Sequence, residues 1–133
     1  MGGHLASITS AGENEQVARI AVGRSVWVGG MRKGRGNGPG ADHWYWCDGR
    51  PWTYTNWAPG EPNNYGGSEN RMQLYGQHSG LWNDVGEGWR GPAVYRIMAS
   101  MPPSVTVSGA GSSEVNGTYV FVPGEHENRH WDT

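Results

Sequence analysis

Asn56-Trp57-Ala58-Pro59-Gly60-Glu61-Pro62-Asn63-Asn64-Tyr65-Gly66-Gly67-Ser68-Glu69-Asn70, followed shortly afterwards by Trp82-Asn83-Asp84, is the stretch that decides how this chain reads. It gathers carboxylates and side-chain amides in a short, Gly-rich segment with no helical periodicity. Such donors suit Ca2+, which takes six to eight oxygen ligands in flexible geometry. The amides add a second ability, because a carboxylate only accepts hydrogen bonds whereas an Asn side chain both donates and accepts. A site that mixes the two can bind a metal through some atoms and grip a neutral hydroxyl through others. The expectation is a device that holds a sugar diol against calcium.

Length and composition are consistent with a small binding module. The 133 residues suffice for one domain and a short appendage. Twenty-three Gly argue for loops and tight turns rather than a helical bundle, and eight Trp against one Phe argue for a core built on a few large aromatic bodies. A formal net charge of −2 gives no electrostatic case for nucleic acid. The basic cluster Arg32, Lys33 and Arg35 lies among glycines and reads as a solvated loop. No stretch approaches the ~18 apolar residues of a membrane span. Met1-Gly2-Gly3-His4 leads straight into patterned sequence, so no signal peptide is expected. The single cysteine, Cys47, allows no internal disulfide, which taken alone leans towards a reducing compartment.

The elements around the loop are short. His4 to Ile8 alternates as a strand. Ser10-Ala11-Gly12-Glu13 has the form of a capping box opening a helix over Ala11 to Val22, with Gly23 as its stop. Ser25 to Val28 reads as a strand, Met31 to Ala41 as a Gly-rich loop and His43 to Trp46 as another strand. Arg50 to Asn70 is a long irregular excursion whose Trp52, Tyr54 and Trp57 demand burial, so it is functional rather than disordered. Arg71 to Tyr75, Gly80 to Trp82 and Ala93 to Ile97 complete a set of short strands, giving an α+β first module over residues 1–100. Met101-Pro102-Pro103 marks a boundary. The tail, 101–133, reads as two strands, Val105–Val107 and Thr118–Val122, about a Gly/Ser/Asn-rich turn: a short β-rich appendage or the start of a second module.

Taken in order, Gly3-His4-Leu5-Ala6-Ser7-Ile8, Trp27-Val28-Gly29-Gly30, Trp44-Tyr45-Trp46-Cys47-Asp48-Gly49, Tyr54-Thr55-Asn56-Trp57, Glu61-Pro62-Asn63, Glu69-Asn70 and Trp82-Asn83-Asp84 resemble the C-type lectin-like domain in its long-loop, sugar-binding form. The resemblance covers about residues 2 to 97. It implies a core strand at Trp27–Gly30 and a calcium-carrying loop at Arg50–Asn70. Calcium ligands are implied at Glu61, Asn63, Glu69, Asn83 and Asp84, and the same five residues with Tyr65 are expected to contact the sugar. Pro62 is expected in the cis form. The Glu61-Pro62-Asn63 triplet implies mannose, glucose, fucose or N-acetylglucosamine rather than galactose. One calcium is expected, because the loop that carries acids for auxiliary sites is here Met31–Ala41, which has none, and Asn64 stands where an Asp is expected.

The departures from the family are specific. Its two disulfides cannot form, since Arg71 occupies one cysteine place and others are missing around Gly86-Glu87 and Arg96. The family's first strand and first helix have no counterpart before Gly3, which predicts an N-terminally truncated domain with an open sheet edge.

The functional expectation is a calcium-dependent carbohydrate-binding module, not an enzyme, whose partners are glycans or glycoproteins. Weak monovalent affinity would make oligomers useful for avidity. Calcium sites of this affinity range suit an extracellular or cell-surface setting, and the site outweighs the cysteine count. One alternative is a calcium-independent protein-interaction or structural module on the same fold. The other is a hydrolase built on His126-Glu127-Asn128-Arg129-His130, which has the HExxH form but lacks the helical pattern that would turn both His to one side.

Overall fold

The structure is a computed structural model and describes residues 3–33, 43–76, 80–98 and 117–128. Seven strands and one α-helix follow the order β1 (Gly3–Leu5), α1 (Ala11–Ala21), β2 (Ser25–Lys33), β3 (His43–Trp46), β4 (Arg71–Tyr75), β5 (Leu81–Val85), β6 (Gly91–Met98) and β7 (Gly117–His126). All seven belong to one sheet, along β1-β6-β2-β4-β5, with β3 also on β2 and β7 also on β6. The architecture is α+β, as expected.

The helix starts where its capping chemistry places it. Ser10 Oγ accepts from Glu13 N at 3.1 Å, and Glu13 Oε1 reaches back to accept from Thr9 N at 2.7 Å. Glu13 is buried and paired with Arg50 at 2.8 Å, which ties the helix start to the beginning of the long excursion. The helix ends one residue earlier than expected, because Val22 itself adopts the left-handed conformation (φ 53°) ahead of Gly23.

Strand β2 runs five residues beyond the expected Val28, through Gly29 and Gly30 to Lys33. The glycines are dictated by crowding: a Cβ on Gly29 would lie 2.6 Å from the Leu5 carbonyl oxygen. The register against β4 shifts between Val28 and Met31, a local irregularity that lets the strand bend. The reading of Arg32 as part of a solvated loop is therefore corrected. Its backbone continues β2, pairing with Trp44 of β3, and its side chain is buried. Lys33 is exposed, and Arg35 lies outside the described residues.

Trp46 and Trp82 anchor the core, with Ile8, Val17, Val26, Val28, Met72, Leu74 and Val94 around them. Trp52, Tyr54 and Trp57, all from the long excursion, pack edge-on against Trp82 with ring centroids 5.5–5.8 Å apart. Aromatic contacts of this kind contribute beyond simple burial and explain why an irregular segment holds its place. Arg71 and Glu87, which stand where cysteines were expected, form an ion pair at 2.9 Å.

The tail differs from one of its two expected forms. Its described strand, β7, does not begin a separate module: it lies antiparallel along β6, from Met98↔Gly117 to Gly91↔His126. Tyr119 Oη donates to the Ser7 carbonyl at 2.7 Å, and Trp27 Nε1 donates to the His126 carbonyl at 2.7 Å. An open sheet edge was expected from the missing N-terminal strand; along β6 the chain's own later segment, β7, covers the outer side. The predicted strand at Val105–Val107 lies outside the described residues.

Candidate functional site

The site is assembled from two backbones. One is the excursion between β3 and β4, and the other is β5. Two backbone bonds dock the excursion beside β5, where Ala58 N donates to Trp82 O (2.9 Å) and Trp82 N to Asn56 O (2.8 Å). Further along, Asn63 N donates to Asp84 Oδ1 (3.2 Å) and Asn64 N to Asp84 Oδ2 (2.7 Å). Asp84 is fully buried on the same face of β5 as Trp82, with the intervening Asn83 on the other face, as the alternation of a strand requires. Trp82 is a core residue, its Nε1 donating to Asn14 Oδ1 at 2.7 Å, and this fixes where the following residues of β5 lie.

Within the loop the expected residues meet one another. Glu61 Oε1 accepts from Asn63 N at 3.2 Å. Tyr65 N lies 3.1 Å from Asn63 Oδ1 and 3.0 Å from Glu69 Oε1, so one amide bridges two of the expected ligands. Asn64 Oδ1 accepts from Glu69 N at 2.9 Å, and Asn64 itself sits in the left-handed region (φ 48°). The Glu61–Pro62 peptide is cis. Asn83 commits its amide nitrogen to Gln73 Oε1 at 2.9 Å, which leaves the oxygen as the end for a ligand. Tyr65 projects from a 3₁₀ turn (Tyr65–Gly67) and is 78% exposed.

Electrostatics favour a cation here. Glu61 is pushed up to about 7, first by burial and then by a hydrogen bond and like charge from Asp84, with Glu69 adding to the repulsion. Glu69 is raised by burial and by Asp84, although its bond from Tyr65 N and the charge of Arg32 pull the other way. Glu61 and Glu69, both raised by burial and by the charge of Asp84, belong to a donor set that a divalent ion would relieve. Among the described residues no three His, Cys, Asp or Glu side chains close by themselves on a common point. The amide oxygens of Asn63 and Asn83 are therefore needed to complete a set of hard oxygen ligands, which suits calcium better than zinc.

One site residue was missed in the sequence: Arg32. Its Nη2 lies 2.6 Å from Asp84 Oδ2 with both side chains fully buried, and its Nε donates to the Glu69 carbonyl at 3.1 Å. The guanidinium also lies over the Trp44 ring, 4.8 Å from its centroid. A basic residue inside a Gly-rich run resembles a loop residue, and only the continuation of β2 reveals its position.

The other signals fall away from this site. Cys47 is a half-buried thiol beside the Leu5 carbonyl (3.5 Å), pushed up to about 12 by burial and by the charge of Asp48, and so unreactive as a nucleophile. His126 ends a strand rather than lying on a helix, and its ring contacts the Pro123 carbonyl at 2.8 Å. His130 lies outside the described residues.

A small α+β domain that pins a long polar loop beside a Trp-Asn-Asp strand defines a class of binding modules. The chain belongs to the C-type lectin family: the sequence profile described as "Lectin C-type domain" matches residues 1–94. This is a family of non-enzymatic, mostly carbohydrate-binding domains, and residues 1–94 are a domain of that non-enzymatic kind. It is 39% identical to the pulmonary surfactant-associated protein D of Bos taurus over 84 residues, covering 62% of this chain and 21% of that protein. Among solved structures it is similar to the cow carbohydrate-recognition domain of CD23, crystallised in the presence of a GlcNAc2Man3 oligosaccharide (38% identity, TM-score 0.51, 62% of this chain and 59% of that one). It is also similar to a calcium-independent type II antifreeze protein (37% identity, TM-score 0.54, 64% and 60%). The chain spans between about a fifth and a half of the length of the curated relatives it matches. Among the described residues no helix is long and apolar enough to cross a membrane.

Proposed function

We propose that this domain binds mannose-type sugars through a single calcium ion held by Glu61, Asn63, Glu69, Asn83 and Asp84. The observation that carries the reading is the meeting of Glu61, Asn63, Glu69 and Asp84 in one hydrogen-bonded loop whose carboxyl groups repel one another. Calcium, when bound, would supply the positive centre against which two neighbouring hydroxyls rest. The chain's own part is to orient those hydroxyls, with Glu61 and Glu69 accepting their protons and the amide of Asn63 donating to their oxygens, while Asn83, whose nitrogen is held by Gln73, presents its oxygen. The exposed Tyr65 stands at the loop tip, where its ring can cover one face of a sugar. Each monovalent contact is expected to be weak, about 4 kcal/mol or millimolar, so physiological partners are multivalent glycans or glycoproteins met by several copies. A site of this kind operates at extracellular calcium levels, in the secreted or cell-surface setting.

Calorimetric titration with calcium, repeated at high mannose concentration, tests this. One saturable site that tightens with sugar supports it, because linked ligands must help each other. Replacing Glu61 and Asn63 with Gln and Asp should shift preference towards galactose, and unchanged mannose preference would count against the site.

A second reading, a calcium-independent module, is favoured by one observation: Asp84 already accepts from Arg32 and two backbone amides. The similarity to a calcium-independent antifreeze protein points the same way. No calcium uptake by the folded domain would select it.

A further inference from the structure

The strongest unassigned feature is the buried pair of Arg32 and Asp84 beneath the loop. Burying two charges is costly unless each is fully hydrogen-bonded, and such a pair contributes little net stability compared with apolar residues of the same size. What it supplies is position. Asp84 is the one acid of the cluster with no exposure, and its two oxygens receive the backbone amides of Asn63 and Asn64, the residues that aim the loop. Arg32 grips the other end of the same loop through the Glu69 carbonyl, while its own backbone N–H donates to the Asn70 carbonyl at 3.0 Å. One side chain therefore spans both flanks of the turn that carries Glu61, Asn63 and Glu69.

We propose that Arg32 is a resident cation that holds the loop in its binding form before any metal arrives. The positioning role does not depend on the calcium reading above. Arg32 is a positioning residue, acting through Asp84 and the loop backbone. Lys could not replace it fully, because only a guanidinium offers donors to both the Asp84 carboxylate and the Glu69 carbonyl in one fixed plane.

Amide hydrogen exchange on the metal-free protein decides it. In the wild type, the Asn63 and Asn64 amides should exchange at least about tenfold more slowly than in an unstructured chain, since they donate to a charged, buried acceptor. Arg32→Gln should bring both amides to the rate of an unstructured chain. The core amides of Val26 and Leu74, faster than in the wild type because Asp84 is left without its counter-charge, should remain protected. Calcium should restore the loop amides. Should Arg32→Gln fail to fold, Arg32→Lys carries the comparison, with partial loss at the same two amides expected. The proposal is overturned if the wild-type amides are unprotected without metal, or if protection is unchanged in the variant that folds. A wild type that protects both amides yet takes up no calcium would sink the calcium reading and leave the positioning role of Arg32 standing.

Discussion

Asn83 and Asp84 are neighbours in sequence but differ in what they support, and their substitution should separate function from stability. Asn83 is half-buried with one side-chain partner, Gln73, so Asn83→Ala should abolish calcium and sugar binding with a change in melting temperature of only a few degrees. Asp84→Ala should lose the same binding and also cost about 3–5 kcal/mol, because Arg32 would be left buried without its counter-charge. Chemical denaturation beside calorimetry would check both. Glu61 supplies the pH dependence. With its carboxyl raised to about 7 from an ordinary 4.5, the metal-free folded protein keeps a proton that the unfolded chain releases earlier. The stability this proton provides is complete below the ordinary value and is lost as pH rises through about 7. Calcium needs the ionised form, so its affinity should fall as pH drops below about 7. Glu61→Gln should flatten the stability trend in metal-free melts, which isolates this group from the other acids. At this scale the donor types were legible, since Glu61-Pro62-Asn63 and Trp82-Asn83-Asp84 carry them in plain view. Arg32 was not, because its burial depends on β2 continuing past Gly30 to pair with Trp44, whose strand was legible without its partner.

Among the elements, the helix shows how local rules succeed and where they slip. Ser10 and Glu13 announced its start correctly, while its end depends on Val22, a β-branched residue with φ 53° and 80% exposure. L-residues with a branched Cβ pay about 1–2 kcal/mol in that conformation. Val22→Gly should therefore raise stability by about 1 kcal/mol, and a thermal melt should show it as a gain of a few degrees with calcium binding unchanged. The underestimate of β2 has a similar local origin. Gly29 and Gly30 look like a terminator, but here they permit close approach to Leu5 and a shifted register, after which the strand resumes. Glycine as a stop and glycine as a crossing point are indistinguishable without the neighbouring strand.

For the molecule as a whole, the informative element is the one that local patterns assigned elsewhere. The Pro-rich boundary after Ser100 suggested that the tail left the domain, yet β7 returns to β6 and closes the outer edge of the sheet. A strand's alternation was visible in Thr118 to Val122, but its partner lies more than twenty residues away, a separation that sequence reasoning cannot bridge. Its contribution can be tested by ending the chain at residue 100. That shortened protein would lose the Tyr119 bond to Ser7 and the His126 bond to Trp27, and would leave unpaired the backbone groups of β6 that face β7. It should elute from size exclusion as aggregates or higher oligomers, whereas the full chain should not acquire these from this edge. The Arg71–Glu87 pair belongs to the same account, because it links the start of β4 to the turn after β5 without covalent chemistry. A fold usually stapled by sulfur is here joined by hydrogen bonds and ring contacts, and its integrity should be indifferent to reducing agents.

The two-point attachment of the excursion to β5 also divides it into unequal territories. Between Ala58 and Asn63 the backbone is clamped at both ends, by Trp82 and by Asp84, so its length is set by the spacing of two residues on a strand. Gly66 to Ser68 has no such tether to β5 and is exposed. Insertions in the first territory would drag Glu61 out of place. Insertions in the second would add surface beside the proposed sugar site while leaving the proposed ligands of β5 and the Ala58–Asn63 stretch where they are. The tip is thus the part of this protein open to elaboration, a position from which new selectivity can be grafted without rebuilding the site beneath it.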